Sequence, residues 1–62
     1  MQILLQMYRE SKNLSKSQLA RLSGVSRDTI IRIEQETRMP KIPTLIKLAN
    51  VLGVSVKDLE GE

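Results

Sequence analysis

The segment Arg27-Asp28-Thr29-Ile30-Ile31-Arg32-Ile33-Glu34-Gln35 places two kinds of side chain on what its spacing predicts to be one helix, over about residues 27–35. At about 100° per residue, Ile30 and Ile33 lie within about 60° of each other, and the opposite side carries Asp28, Ile31, Arg32 and Gln35, with Arg27 at its margin. A guanidinium is the side chain best matched to guanine O6 and N7 in the major groove. A carboxylate can accept from cytosine N4, and an apolar group can meet a thymine methyl. Charged helix faces are most often simply solvated. Ile31, a β-branched residue expected to be exposed between Asp28 and Arg32, adds nothing to solubility and favours a recognition surface over a merely wet one.

The flanking residues must hold that helix in place. Ser26 can cap it through its hydroxyl, although no Glu or Gln stands at the third position to return the bond. Upstream, Ser15-Lys16-Ser17-Gln18 has the S-x-x-Q form in which hydroxyl and amide satisfy each other's backbone donors, so a second helix is expected over about residues 16–23. Leu19 and Ala20 would face inward, Gly24 would make the turn and Val25 would plug it. So short a turn makes the two helices cross steeply at close range, which suits a small Ala20 and a flexible Gly24.

The rest of the chain reads as three more helices and no strand, since period-2 alternation is not sustained and breaks fall at Asn13, Gly24, Pro40, Pro43 and Gly53. The first helix is expected from about Gln2 to Lys12. Met1, Leu5, Tyr8 and Lys12 form its core stripe, and Ile3, Leu4 and Met7 widen the apolar surface into either a broad core face or a partner contact. The fourth begins near Ile42, with Pro43 in its first turn, and buries Leu45, Leu48, Ala49 and Leu52. Ser55 opens a short fifth helix with Asp58 near its positive end, and residues 60–62 are expected to fray.

Composition narrows the classes. Sixty-two residues make one domain, which buries only roughly 60% of its unfolded surface, and with Tyr8 as the single aromatic the core must be aliphatic. The absence of Cys and His removes disulfides, thiol catalysis and the common zinc ligands, and the seven Asp and Glu are not grouped at ligand spacing. No metal, cofactor or small-molecule ligand is expected, and so small a core leaves no room for an enzyme's pocket. No apolar run approaches the roughly 20 residues needed to span a bilayer and no signal peptide is visible, so no membrane partner and a cytoplasmic location are expected. A membrane-active cationic peptide would not need three serine starts and two glycine stops, and the basic residues are dispersed. The net charge of +3 is mild, so the placement of the charges carries the argument.

In one ungapped register over about residues 1–60, the chain resembles the lambda-repressor-like, Cro-type helix-turn-helix domains of the Xre family. The resemblance rests on Arg9, Leu14-Ser15, Leu19-Ala20, Gly24-Val25-Ser26, Thr29-Ile30, Ile33-Glu34, Pro40, Leu45, Leu48-Ala49, Leu52-Gly53-Val54-Ser55 and Leu59. It implies an all-α, compact five-helix bundle in which the second and third helices form the DNA-binding unit and the third lies in the major groove. It assigns base-edge contacts to Arg27, Asp28, Thr29 and Arg32, and phosphate contacts to Lys16, Ser17, Arg38 and Lys41. Arg21, on the outer face of the second helix, is more simply read as solvated. The resemblance also implies a structural ion pair between Arg9 and Glu34.

Two positions depart from the family pattern. Lys16 stands where many relatives have glutamine, which keeps phosphate affinity but loses the two-sided hydrogen bonding of an amide. Glu36 stands where many have glycine, so the third helix is expected to end differently. The function implied is a sequence-specific DNA-binding transcriptional regulator of prokaryotic or phage type, a repressor in the simplest case, on a palindromic operator. The alternative is a protein-interaction module on the same fold, such as an antitoxin-like or cofactor-type domain. One recognition helix reads only a few base pairs, so a homodimer is expected, weak in solution and cooperative on double-stranded DNA. In relatives the dimer contact lies after the fourth helix and in the fifth, here Val54, Val56, Lys57 and Glu60, with Leu59 turned into the core. The strip Ile3, Leu4 and Met7 is the competing surface.

Overall fold

A computed structural model describes residues 3–35 and 39–61, which contain five helices and no strand. The helices are α1 (Leu5–Ser11), α2 (Lys16–Ser23), α3 (Arg27–Glu34), α4 (Ile42–Leu52) and α5 (Val56–Glu60).

Each helix boundary has a local cause. Ser15 and Ser55 both form complete capping boxes, with Gln18 and Asp58 respectively returning the hydrogen bond to the cap N–H. Ser26 caps α3 by accepting from the Thr29 N–H. At the far ends, Gly24 (φ +76°) stops α2 with its N–H on the Ala20 carbonyl, and Gly53 (φ +70°) stops α4 while Val54 N–H reaches back to Ala49. Asn13 does the same for α1. Its φ is +59°, its N–H donates to the Glu10 carbonyl and that of Leu14 to the Arg9 carbonyl, the paired bonds of a Schellman end.

α2 packs on α3 and α4, α4 on α5, and α1 on α3. They enclose one aliphatic core in which Leu5, Leu19, Ile30, Ile33, Leu45, Leu48, Leu52 and Leu59 are fully buried. Tyr8, Leu14, Ala20, Val51, Val54 and Val56 close its margins.

α1 departs from the expected Gln2–Lys12. It starts at Leu5, because the Leu4 N–H donates to the Leu59 carbonyl at 2.7 Å and ties the chain before the helix to the end of α5. It ends at Ser11, because Asn13 turns left-handed. Its buried face is Leu5 and Arg9; Tyr8 is half-buried and Lys12 exposed. Met1 and Gln2 lie outside the described residues. Ile3, expected to widen the helix surface, precedes the helix and belongs to the core, so only Met7 of the strip Ile3, Leu4 and Met7 is exposed. Glu60, expected to fray, is the last residue of α5 and is half-buried, with Gly61 N–H donating to the Asp58 carbonyl. Glu62 lies outside the described residues.

A Cβ built on Gly24 meets nothing within 4 Å, so substitution there is opposed by backbone conformation alone. Gly24→Ala is expected to cost about 1 kcal/mol and Gly24→Asn less, since Asn tolerates positive φ, with unchanged helical content. Urea denaturation followed by circular dichroism measures both.

Candidate nucleic-acid interface

Placing a recognition helix requires that its ends and its back be held while its front stays open. The α2–α3 connection supplies the first condition. The Ser23 hydroxyl donates to the Leu19 carbonyl at 2.7 Å and accepts from the Val25 N–H at 3.2 Å, which bridges the end of α2 to the turn. Val25 is buried beneath it. Ser23 was not singled out in the sequence, where a lone serine beside a glycine reads only as turn-compatible; its two bonds appear once the turn exists.

The back of α3 is held by Ile30 and Ile33, both fully buried, and by a buried ion pair. Arg9 Nε donates to Glu34 Oε2 at 2.7 Å and Nη2 to Oε1 at 3.2 Å, a two-pronged contact between α1 and α3. Arg9 Nη1 also donates to the Leu14 carbonyl at 2.8 Å, so one guanidinium joins α1, α3 and the loop before α2. The two side chains are only 9% and 4% exposed, and among the described residues no buried side-chain polar atom lacks a partner. The hydrogen bond to Glu34 raises the Arg9 pKa against the opposing effect of burial, with the charges of Glu34 and Glu10 adding to the rise. A raised pKa on a base gives stability that is complete below the ordinary arginine range and lost only above it, so Arg9 stays charged at every working pH.

The front of α3 is open. Arg27, Asp28 and Arg32 are exposed, and Arg32 Nη2 lies 3.3 Å from Asp28 Oδ2. Thr29 is half-buried, with its Oγ1 accepting from the Ser26 hydroxyl at 2.8 Å, which leaves its own hydroxyl hydrogen to donate outward. Ile31 is half-buried rather than open.

The candidate phosphate-binding residues fall at two helix starts. Lys16 is half-buried and Ser17 exposed at the start of α2, whose first N–H groups have no acceptor within the helix. Lys41 is the exposed N-cap residue of α4. Arg38, and Glu36 with its missing glycine, lie outside the described residues. The structure adds Thr44 and Lys47, which with Lys41 line a cleft of about 220 Å³ against Gly24, Ser26 and Thr29 at the start of α3. Lys47 was hidden in the sequence because α4 reads as a core helix; only its outward position, less than two helical turns beyond Lys41, could have marked it.

Of the four candidate dimer residues, Val54, Val56 and Glu60 are half-buried and Lys57 is exposed, while Leu59 is fully buried. No group of three or more acidic residues that could hold a metal occurs among the described residues, and none of the described helices is long and apolar enough to cross a membrane.

The helix-turn-helix family model matches residues 5–59, from the first residue of α1 to the buried Leu59. The chain belongs to the Xre-type helix-turn-helix family. It is 40% identical over 55 residues to an uncharacterized HTH-type transcriptional regulator of Methanocaldococcus jannaschii, covering 89% of this chain and 83% of that one. It is 44% identical over 52 residues to the control protein C.SmaI of Serratia marcescens, covering 84% of this chain and 62% of that protein. The transcriptional regulator PuuR of Escherichia coli is 39% identical over 54 residues, 87% of this chain but only 29% of PuuR. Among solved structures, the restriction-modification controller protein C.AhdI of Aeromonas hydrophila superposes with a TM-score of 0.84 at 33% identity, over 89% of this chain and 83% of that one. Family and relatives make the chain a DNA-binding transcription regulator and not an enzyme.

Arg9→Ala or Glu34→Ala leaves a buried charge without its partner and is expected to cost about 3–5 kcal/mol. The double variant should lose less than the sum, and a double-mutant cycle in urea measures the difference.

Proposed function

We propose that this regulator occupies a palindromic operator as a symmetric pair and that α3 of each copy reads base edges in the major groove. One observation carries the reading: α3 is anchored by Ile30, Ile33 and Glu34 on its inner side and leaves Arg27, Asp28 and Arg32 open on the other. Arg27, Asp28, Thr29 and Arg32 meet the base edges. Lys16 and Ser17 at the start of α2 meet one stretch of phosphates; Arg38 and Lys41 meet another, with Thr44 and Lys47 beside them. The partner is double-stranded DNA, and the protein acts in the cytoplasm, where bacterial and archaeal DNA lies.

Half-site spacing supports the pairing. Two half-sites one helical turn apart hold the recognition helices roughly 34 Å from each other. The Cα extents of the domain reach 25 Å at most, so two copies at that spacing meet only along an edge. Val54, Val56, Lys57 and Glu60 form that edge, with Lys57 and Glu60 as charge partners across the axis. A patch of this size gives weak dimerisation in solution and cooperative binding on DNA. On α1, Ile3 is core, which leaves the exposed Met7 and the half-buried Leu4 of the competing strip and favours the edge at α5.

Selection of duplexes from a random pool tests binding, half-site sequence and spacing together; recovery of no sequence preference at low salt overturns the reading in favour of a protein-interaction module. On the selected operator, Arg32→Ala is expected to cost about 1–3 kcal/mol and to relax preference at one base pair, whereas Lys41→Ala weakens all sequences alike and flattens the salt slope by about one unit. Titrations over a panel of operators and salt concentrations separate the two. Val56→Asp is expected to abolish cooperativity while half-site affinity and helical circular dichroism are retained, as read by gel shift on whole and half operators.

A further inference from the structure

Ile31 is the one apolar residue of α3 that is not fully buried, since Ile30 and Ile33 both lie in the core. Its helical neighbours, three and four positions away, divide into two sides. On the inner side stands Glu34, whose side chain is only 4% exposed and accepts from Arg9 Nε at 2.7 Å. On the outer side stand Arg27, Asp28 and Gln35, all exposed. Ile31 therefore occupies the border between the anchored flank of α3 and the face offered to DNA.

The part of this side chain left in water adds nothing to the core, so its presence on the outer border needs a compensating reason. The major groove presents one apolar group, the C5 methyl of thymine. The polar ends of Arg27, Asp28 and Arg32 do not match that group, whereas an aliphatic branch does. A β-branched residue in a helix has one strongly preferred χ1 rotamer, so the open part of Ile31 is set in place before DNA arrives. Contact then costs little ordering.

We propose that Ile31 reads a thymine methyl in the major groove and is a further specificity-determining residue of this regulator. The inference rests on the DNA-binding reading given above and adds an apolar contact to those of Arg27, Asp28, Thr29 and Arg32. What Ile31 recognises is the methyl itself, not the hydrogen-bonding edge of the base.

The test measures dissociation constants for the full chain, Ile31→Ala and Ile31→Thr on the selected operator and on operators in which deoxyuridine replaces one thymine of a half-site at a time. Uracil keeps the hydrogen-bonding edge of thymine and lacks only the methyl, so polar readout is untouched. One of these replacements should weaken binding by the unsubstituted protein about three- to five-fold, the effect of uncovering one methyl group. Ile31→Ala should bind the thymine and uracil forms alike at that position. Ile31→Thr, which keeps the β-branch but exchanges an apolar arm for a hydroxyl, should shrink the ratio and carries the same comparison where Ile31→Ala does not fold. The readout is a ratio between two operators bound by one variant, so a reduced folded fraction, followed by thermal melts, cancels from it. A methyl effect that survives both substitutions assigns the contact to another side chain and overturns the proposal. Failure of the unsubstituted protein to select any duplex overturns the DNA-binding reading and this proposal together. A selected half-site without thymine, or one indifferent to every uracil replacement, overturns this proposal alone.

Discussion

A single guanidinium, buried where three segments meet, sets the orientation of the surface on which function depends. Arg9 binds Glu34 through two of its nitrogens and the Leu14 carbonyl through the third, so α1, α3 and the approach to α2 share one charged hub. Burial of such a pair brings little net stability over an apolar contact of the same shape. Its geometric content is larger, because a planar fork on a carboxylate accepts one orientation and an aliphatic contact accepts many. Ile30 and Ile33 fix the depth of α3 in the core; the ion pair fixes its rotation, and rotation decides whether Arg27, Asp28 and Arg32 face outward.

The rest of the bundle supports that hub with inexpensive local devices. Three serines start helices, and Asn13, Gly24 and Gly53 end them in left-handed conformation. In a chain too short for a large core, such ends matter because each removes unsatisfied backbone groups without adding residues. The bond from Leu4 N–H to Leu59 carbonyl closes the chain on itself, joining the segment before α1 to the end of α5. The candidate dimer edge is therefore continuous with the packing of the N-terminal segment, and both depend on Leu59 filling the core.

The candidate site divides by how local its causes are. Arg27, Asp28 and Arg32 were legible because α3 is a regular helix with two isoleucines to mark its inner side. Ile31 was misread because a helical wheel has no neighbours and does not show which outer positions become partly covered. Ser23 and Lys47 were missed for a related reason: the first acts only through a turn that must already be formed, and the second gains meaning only when α4 is laid beside the start of α3.

The amino-acid sequence by itself determined the helices, their caps, the aliphatic core and the family, since each follows from interactions within a few residues or from an ordered pattern of side chains. The tertiary structure alone decided that Ile3 is core rather than surface, that α1 begins at Leu5, that Arg9 also holds the Leu14 carbonyl, and that Asp28 and Arg32 are engaged with each other on the open face. The physical reason is range. Capping and helical periodicity act over three or four residues, but burial and the choice of hydrogen-bond partner depend on which distant segment arrives, as when Leu59 meets Leu4 from the other end of the chain.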